Sequence, residues 1–178
     1  MVYQAMTFDQ SEFDIRCEWG EQGVDLLSRN SDSIIIVDIL SFSTCVSIAA
    51  AHRAIVFPYM WNDDSKYDFA HLKQAEIADS RGKGKYSLSP ASMIGIPQNT
   101  RIVLPSPNGS SLTIRVGKIP TFAGCFRNAM FVAGESIKYG PRVSLIPAGE
   151  RWRENHTLRP SFEDFLGVGA IISYLPGI

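Results

Sequence analysis

One carboxylate stands inside a run of branched apolar residues, Ile34-Ile35-Ile36-Val37-Asp38-Ile39-Leu40, and hydroxyls follow it at Ser41, Ser43 and Thr44. Burying an ionised carboxyl is costly unless it is hydrogen-bonded, paired or bound to a metal. Asp38 therefore either accepts N–H bonds from the turn and caps the next helix, or serves as a metal ligand or catalytic group. The hydroxyls offer the same choice between helix caps and phosphate contacts. Three further loops carry groups of this kind. In Ser106-Pro107-Asn108-Gly109-Ser110-Ser111, exposed N–H groups beside small polar side chains can cradle an anion, or simply form an Asn-Gly turn. In Gly124-Cys125-Phe126-Arg127-Asn128, Arg127 precedes a helix whose dipole it opposes; a bound anion would account for it, and so would plain solvation.

The last of these loops is Gly149-Glu150-Arg151-Trp152-Arg153. Glu150 and Arg151 form either a surface ion pair or a metal ligand (or base) beside an anion clamp. Glu163 and Asp164 suit the first turn of a closing helix, with metal ligation as their second role. Hard oxygen ligands near anion-binding groups suit Mg2+ and phosphoryl chemistry. His52, His71 and His156 show no metal-ligand spacing on a helix face, and Cys17, Cys45 and Cys125 are too scattered for a metal knuckle or a disulfide framework. Cys125 reads as a small core residue rather than a nucleophile. There is no phosphate-loop lysine motif, nucleophile elbow or dinucleotide fingerprint.

These loops need elements to hold them. Strict alternation over residues 13–19 predicts a strand at an edge or in antiparallel pairing. The β-branched run 34–40 predicts a strand covered on both faces. Further strands are expected at 54–59, 101–104, 120–123 and 142–146. Helices are expected at 21–29, 43–52, from Asn62 or Asp63 to about 79, after Asn108-Gly109, at 127–139 and at 162–175. Residues 80–100, with Ser80-Arg81-Gly82-Lys83-Gly84-Lys85 and two prolines, read as a loop region. The alternation of strand and helix predicts an α/β fold of three layers, α/β/α, with a largely parallel, mixed sheet in a single domain over 1–178. In such sheets ligands sit beyond the carboxyl ends of the strands, where these loops lie.

Seventeen basic against eighteen acidic residues give a net charge of −1, so no general attraction to nucleic acid or an anionic membrane exists. Any anion recognition must be local. Met1-Val2-Tyr3-Gln4-Ala5 lacks the pattern of a secretory leader, and no apolar run reaches spanning length; a cytoplasmic setting is expected.

With these residues laid out, the chain resembles the 2-phosphosulfolactate phosphatase family. The likeness rests on Ile36-Val37-Asp38-Ile39-Leu40 with Ser43-Thr44, on Pro107-Asn108-Gly109-Ser110 and on Gly124-Cys125-Phe126-Arg127-Asn128-Ala129. It rests also on Pro147-Ala148-Gly149-Glu150 and on 162–171, Phe-Glu-Asp-Phe-Leu-Gly-Val-Gly-Ala-Ile. The resemblance implies the family's own α/β fold and a Mg2+-dependent phosphatase acting in coenzyme M biosynthesis. It implies Asp38 as a metal or catalytic carboxylate and Ser43, Thr44, Asn108 and Gly109 as site-loop residues.

Combining both readings, Asp38, Glu150 and Asp164 are expected to hold the metal. Ser41, Ser43, Thr44, Asn108 and Gly109 are expected to bind a small anionic phosphate monoester. Asp38, Glu150, Arg127 and Arg151 are expected to carry the chemistry. The alternative is a non-catalytic anion-binding module on the same scaffold. Two departures stand out: Ser41 replaces the arginine that typical members carry after the Asp-containing strand, and Ser80–Pro90 replaces an acidic, glycine-rich loop. The chain is also expected to lack carboxyl-terminal elements of its relatives, which would leave apolar surface for a homodimer.

Overall fold

The computed structural model describes residues 8–60 and 63–176. The leader reading at residues 1–5, the Asn62 cap and the final Gly177-Ile178 fall outside them.

The β-branched run becomes β2 (Ser33–Val37), which is buried along its whole length. It pairs in parallel with β7 (Val143–Pro147) on one side and β6 (Thr121–Gly124) on the other. The alternating segment becomes a short strand, β1 (Ile15–Cys17), which lies at the edge beside β7, also in parallel. This sheet has the order β1-β7-β2-β6. Its two faces are legible in β2. Ile35 and Val37 meet α6 (Ala129–Ser136) and α7 (Phe162–Ile172) through Val132, Ala133, Val168 and Ile171. Ile34 and Ile36 meet α1 (Gly20–Leu27) and α5 (Gly109–Val116) through Val24, Leu27, Leu112 and Val116. A strand buried on both faces needs apolar side chains at odd and even positions alike, which is why the run does not alternate.

Three further strands form a separate parallel sheet, β3 (Ile55–Tyr59), β5 (Arg101–Pro105) and β4 (Glu76–Ile77), in the order β3-β5-β4. The expected single mixed sheet is thus corrected to two ladders, both parallel throughout. α2 (Phe42–Ala51) bridges them, since Phe42, Cys45, Ile48 and Ala49 share a core with Ile102 and Leu104 of β5 and with Ala123 of β6. α5 contacts both β2 and β3 and bridges them a second time. The architecture is α/β, with mostly parallel sheets and helices on both sides.

Three expectations fail locally. The helix predicted to reach residue 79 stops as α3 (Ser65–Lys73), where Gln74 turns left-handed at φ 49°, and the chain continues as β4. The loop region contains a short helix, α4 (Pro90–Met93), whose Met93 is buried under α2. Beyond β7 an antiparallel hairpin, β8 (Glu150–Arg151) and β9 (Leu158–Arg159), pairs only with itself among the described residues. None of the described helices is long and apolar enough to cross a membrane.

Close packing at β6 gives a direct check. A Cβ on Gly124 would lie 2.6 Å from both Ile171 Cδ1 and Ile35 Cγ2, two fully buried side chains. Gly124→Ala is expected to destabilise the fold by about 1–3 kcal/mol through overpacking. A urea midpoint equal to that of the parent chain would show that the core yields at this point.

Candidate functional site

Asp38 directly follows β2 and is buried. Its Oδ1 accepts the N–H of Phe42 at 3.1 Å, and its Oδ2 accepts the N–H of Gly109 at 2.9 Å. Ser43 Oγ accepts the Asp38 N–H at 3.1 Å and donates to the Ile36 carbonyl at 3.0 Å. Thr44 Oγ1 donates to the Ile39 carbonyl at 2.8 Å. Ser43 and Thr44 therefore fasten the turn between β2 and α2. Their hydroxyls are engaged with backbone rather than presented to a ligand, and neither residue lines the cleft.

Gly109 must be glycine here, because a Cβ would lie 2.2 Å from Phe42 Cδ1. Its N–H reaches Asp38 only through that close approach of α5 to α2. The neighbouring Asn108 donates from Nδ2 to Glu150 Oε2 at 3.1 Å, which ties this loop to the hairpin.

Asp164 departs from its expected role in the helix dipole. It lies in the first turn of α7 but is buried, and it bonds backbone from other segments: Ile39 N–H at 2.8 Å and Gly149 N–H at 2.9 Å. Burial raises both acids, with the neighbouring carboxylates adding to the effect: Asp38 is pushed up to about 7, with Asp164 and Glu150 contributing, and Asp164 to about 6, with Glu163 and Glu150 contributing. A carboxyl that titrates near neutrality is suited to general acid–base work.

Beyond these anchors opens a cleft of about 780 Å³. Asp38, Ser41, Asn108 and Glu150, all selected from the sequence, line it. So do Asp79, Ser80, Arg81, Ser106 and Arg153, which sequence reasoning did not select. The cleft gathers chain ends from both sheets: β2 and β7 supply one side, β4 and β5 the other. Arg81 reaches in from the basic loop, donating from Nη2 to Ser41 Oγ at 3.0 Å and from Nε to the Leu88 carbonyl at 3.0 Å. Ser41 Oγ in turn donates to that same carbonyl at 2.6 Å. A guanidinium thus arrives beside Ser41 from a distant segment. The only hint in the sequence is an arginine within a glycine-rich stretch.

The two arginines chosen from sequence are elsewhere. Arg127 is exposed in the turn before α6 and is absent from the cleft lining. That turn is closed by Asn128, whose Oδ1 accepts from Cys125 N–H at 2.8 Å and whose Nδ2 donates to the Ala123 carbonyl at 2.9 Å. Arg151 is absent from the cleft lining and pairs with Glu21 of α1, not with Glu150.

The metal expectation also needs revising. Among the described residues no three His, Cys, Asp or Glu side chains assemble as a ligand group. Asp164 is not part of the cleft lining, whereas Asp38 and Glu150 are. The trio of Asp38, Glu150 and Asp164 is therefore not an inner-sphere set. What remains fits a hydrated Mg2+, which characteristically takes one or two carboxylates and completes its shell with water and phosphate oxygens. Asp38, Asp79 and Glu150 all border the cleft. A cation there would relieve the repulsion among Asp38, Asp164 and Glu150.

No protein-family model matches the chain, and no curated protein matches it.

The raised carboxyls have a consequence for stability. Both folded values stand above the ordinary 3.8, so the folded chain holds these protons more tightly than the unfolded chain. That contribution is complete below the ordinary value and is lost as pH rises through about 6 and about 7. Asp25 and Asp32 are shifted down by their arginine partners, and their effect falls below this range. In metal-free buffer the urea midpoint is expected to fall steadily between about pH 5 and 8. A flat or rising midpoint across that range would show that both groups stay ionised in the fold.

Proposed function

We propose that the chain is a Mg2+-dependent phosphatase of the 2-phosphosulfolactate phosphatase type, three-layered in architecture, that hydrolyses a small anionic phosphate monoester. The observation that carries this reading is the convergence of Asp38, Asp79 and Glu150 with Arg81 and Arg153 on one cleft. Carboxylates alone would repel a phosphate, and arginines alone would bind it without a place for a metal. Together they suit a phosphate–magnesium pair.

In this reading Asp38 and Glu150 would hold the metal, which when bound supplies charge neutralisation at the phosphoryl oxygens. Arg81 and Arg153 take the anion's remaining charge and stabilise it as it grows in the transition state. Arg81 takes the place of the cation missing at Ser41, and its bonds to Ser41 and Leu88 fix its direction before any ligand arrives. Asn108 orients Glu150. The hydroxyls of Ser80 and Ser106 border the same space. A cytoplasmic location and a homodimer belong to the same proposal. The exposed Phe131, Phe162 and Phe165 on α6 and α7 are apolar surface that a dimer would cover.

A non-catalytic anion-binding module is the second reading. Its favouring observation is that both oxygens of Asp38 are already engaged by N–H groups.

Purified protein incubated with small phosphate monoesters, including 2-phosphosulfolactate, is expected to release phosphate with Mg2+ and to stop with chelator. Asp38→Asn is expected to abolish release, and Arg81→Ala to raise KM by roughly tenfold or more. Binding without turnover, insensitive to chelator, would establish the module instead. A second readout does not depend on turnover. Mg2+ is expected to raise Tm at pH 8, where the carboxylates are ionised, and to do little at pH 5. Equal shifts at the two pH values would place the metal away from these acids.

A further inference from the structure

A second cavity, of about 320 Å³, lies against the cleft and shares three wall residues with it: Pro107, Asn108 and Glu150. The partition includes a single side-chain hydrogen bond, Asn108 Nδ2 to Glu150 Oε2 at 3.1 Å. On one side of that bond are the arginines and carboxylates of the cleft. On the other, Trp19, Leu112, Ala148 and Leu158 stand among the walls. The charged groups at this second cavity are Glu21 and Arg151, which pair with one another, and Glu150, which Asn108 holds at the shared wall. A ligand entering it therefore meets apolar surface, a closed ion pair and the shared carboxylate.

The cavity is built rather than incidental. Leu158 is seated over two glycines with left-handed backbone: a Cβ on Gly20 (φ +56°) would lie 3.3 Å from Leu158 Cδ1, and one on Gly149 (φ +66°) only 2.7 Å. Trp19 is held from behind by Phe165, with ring centroids 6.3 Å apart and planes 17° from parallel. A small-molecule site is commonly a concave, mainly apolar space with a few polar groups that set orientation. Here those polar groups include the shared Asn108 and Glu150, together with Ser111, His156 and Thr157.

We infer that the two cavities form one bipartite site, in which the cleft takes the phosphate and the second cavity takes the organic body of the same molecule. The inference rests on the reading of the cleft as a phosphate site. It narrows the ligand class to phosphate monoesters of an aromatic or similarly bulky, uncharged alcohol. A compact, multiply charged ester would leave the second cavity unfilled and gain nothing from Trp19, Leu112 or Leu158.

Phosphonates separate binding from turnover, because their C–P bond is not hydrolysed as an ester. Calorimetric titration of the full chain in Mg2+ is expected to give phenylphosphonate an affinity at least tenfold above that of methylphosphonate. Gln22 stands exposed on α1 at the edge of the second cavity. Gln22→Trp is expected to bring that ratio toward one, with thermal unfolding followed in parallel to confirm that the variant folds. Equal affinities in the parent chain, or a preference that survives Gln22→Trp, would overturn the bipartite site while leaving the phosphate cleft intact. Failure of both phosphonates to bind would overturn the two readings together.

Discussion

The Asp38 carboxyl accepts one N–H from the start of α2 and one from the start of α5, the two helices that bridge the sheets. A single side chain at the end of β2 thereby sets where both helices begin. Asp164 repeats the device on the other side, joining the residue after Asp38 to the turn after β7. Each bond replaces one that the buried carboxyl would otherwise have made with water. Three of the loops that border the cleft, those after β2, β5 and β7, are tied together by these four bonds.

This arrangement has an electrostatic cost. Burial raises both acids, and repulsion adds to it: Asp164 and Glu150 act on Asp38, and Glu163 and Glu150 act on Asp164. Among the described residues no arginine forms an ion pair with Asp38, Asp164 or Glu150. Arg81 and Arg153 instead line the open cleft as exposed side chains. The buried carboxylates belong to the framework, whereas the positive charge comes from long side chains on surface loops.

How much of this could be read beforehand depended on how local each cause was. The run 33–37 declares a doubly covered strand because burial on both faces is written into consecutive residues. Asp38 stands out for the same reason, as a charge where none is cheap. Gly109 reads as a turn, but its closeness to Phe42 is a tertiary fact. A local dipole argument picks out Arg127, yet α6 begins two residues later and Asn128 closes the turn by itself. Arg81 has no local marker, because its partners, Ser41 and Leu88, come close only after both sheets have formed. The hairpin over 150–159 carries no alternating pattern. It is held by Leu158 over its glycines and by Arg151 on Glu21, contacts no periodicity encodes.

That hairpin sits between β7 and α7 and pairs with neither sheet. It nevertheless contributes Glu150 to both cavities, Arg153 to the cleft and Leu158 to the apolar wall. In the proposed reading, part of the selectivity therefore sits in about ten consecutive residues, none of which belongs to the three buried core clusters. Such a segment would behave as an interchangeable cassette: a different hairpin on the same two sheets would alter what is recognised. Glu150 is the member such an exchange would have to keep, since its charge acts on both buried acids.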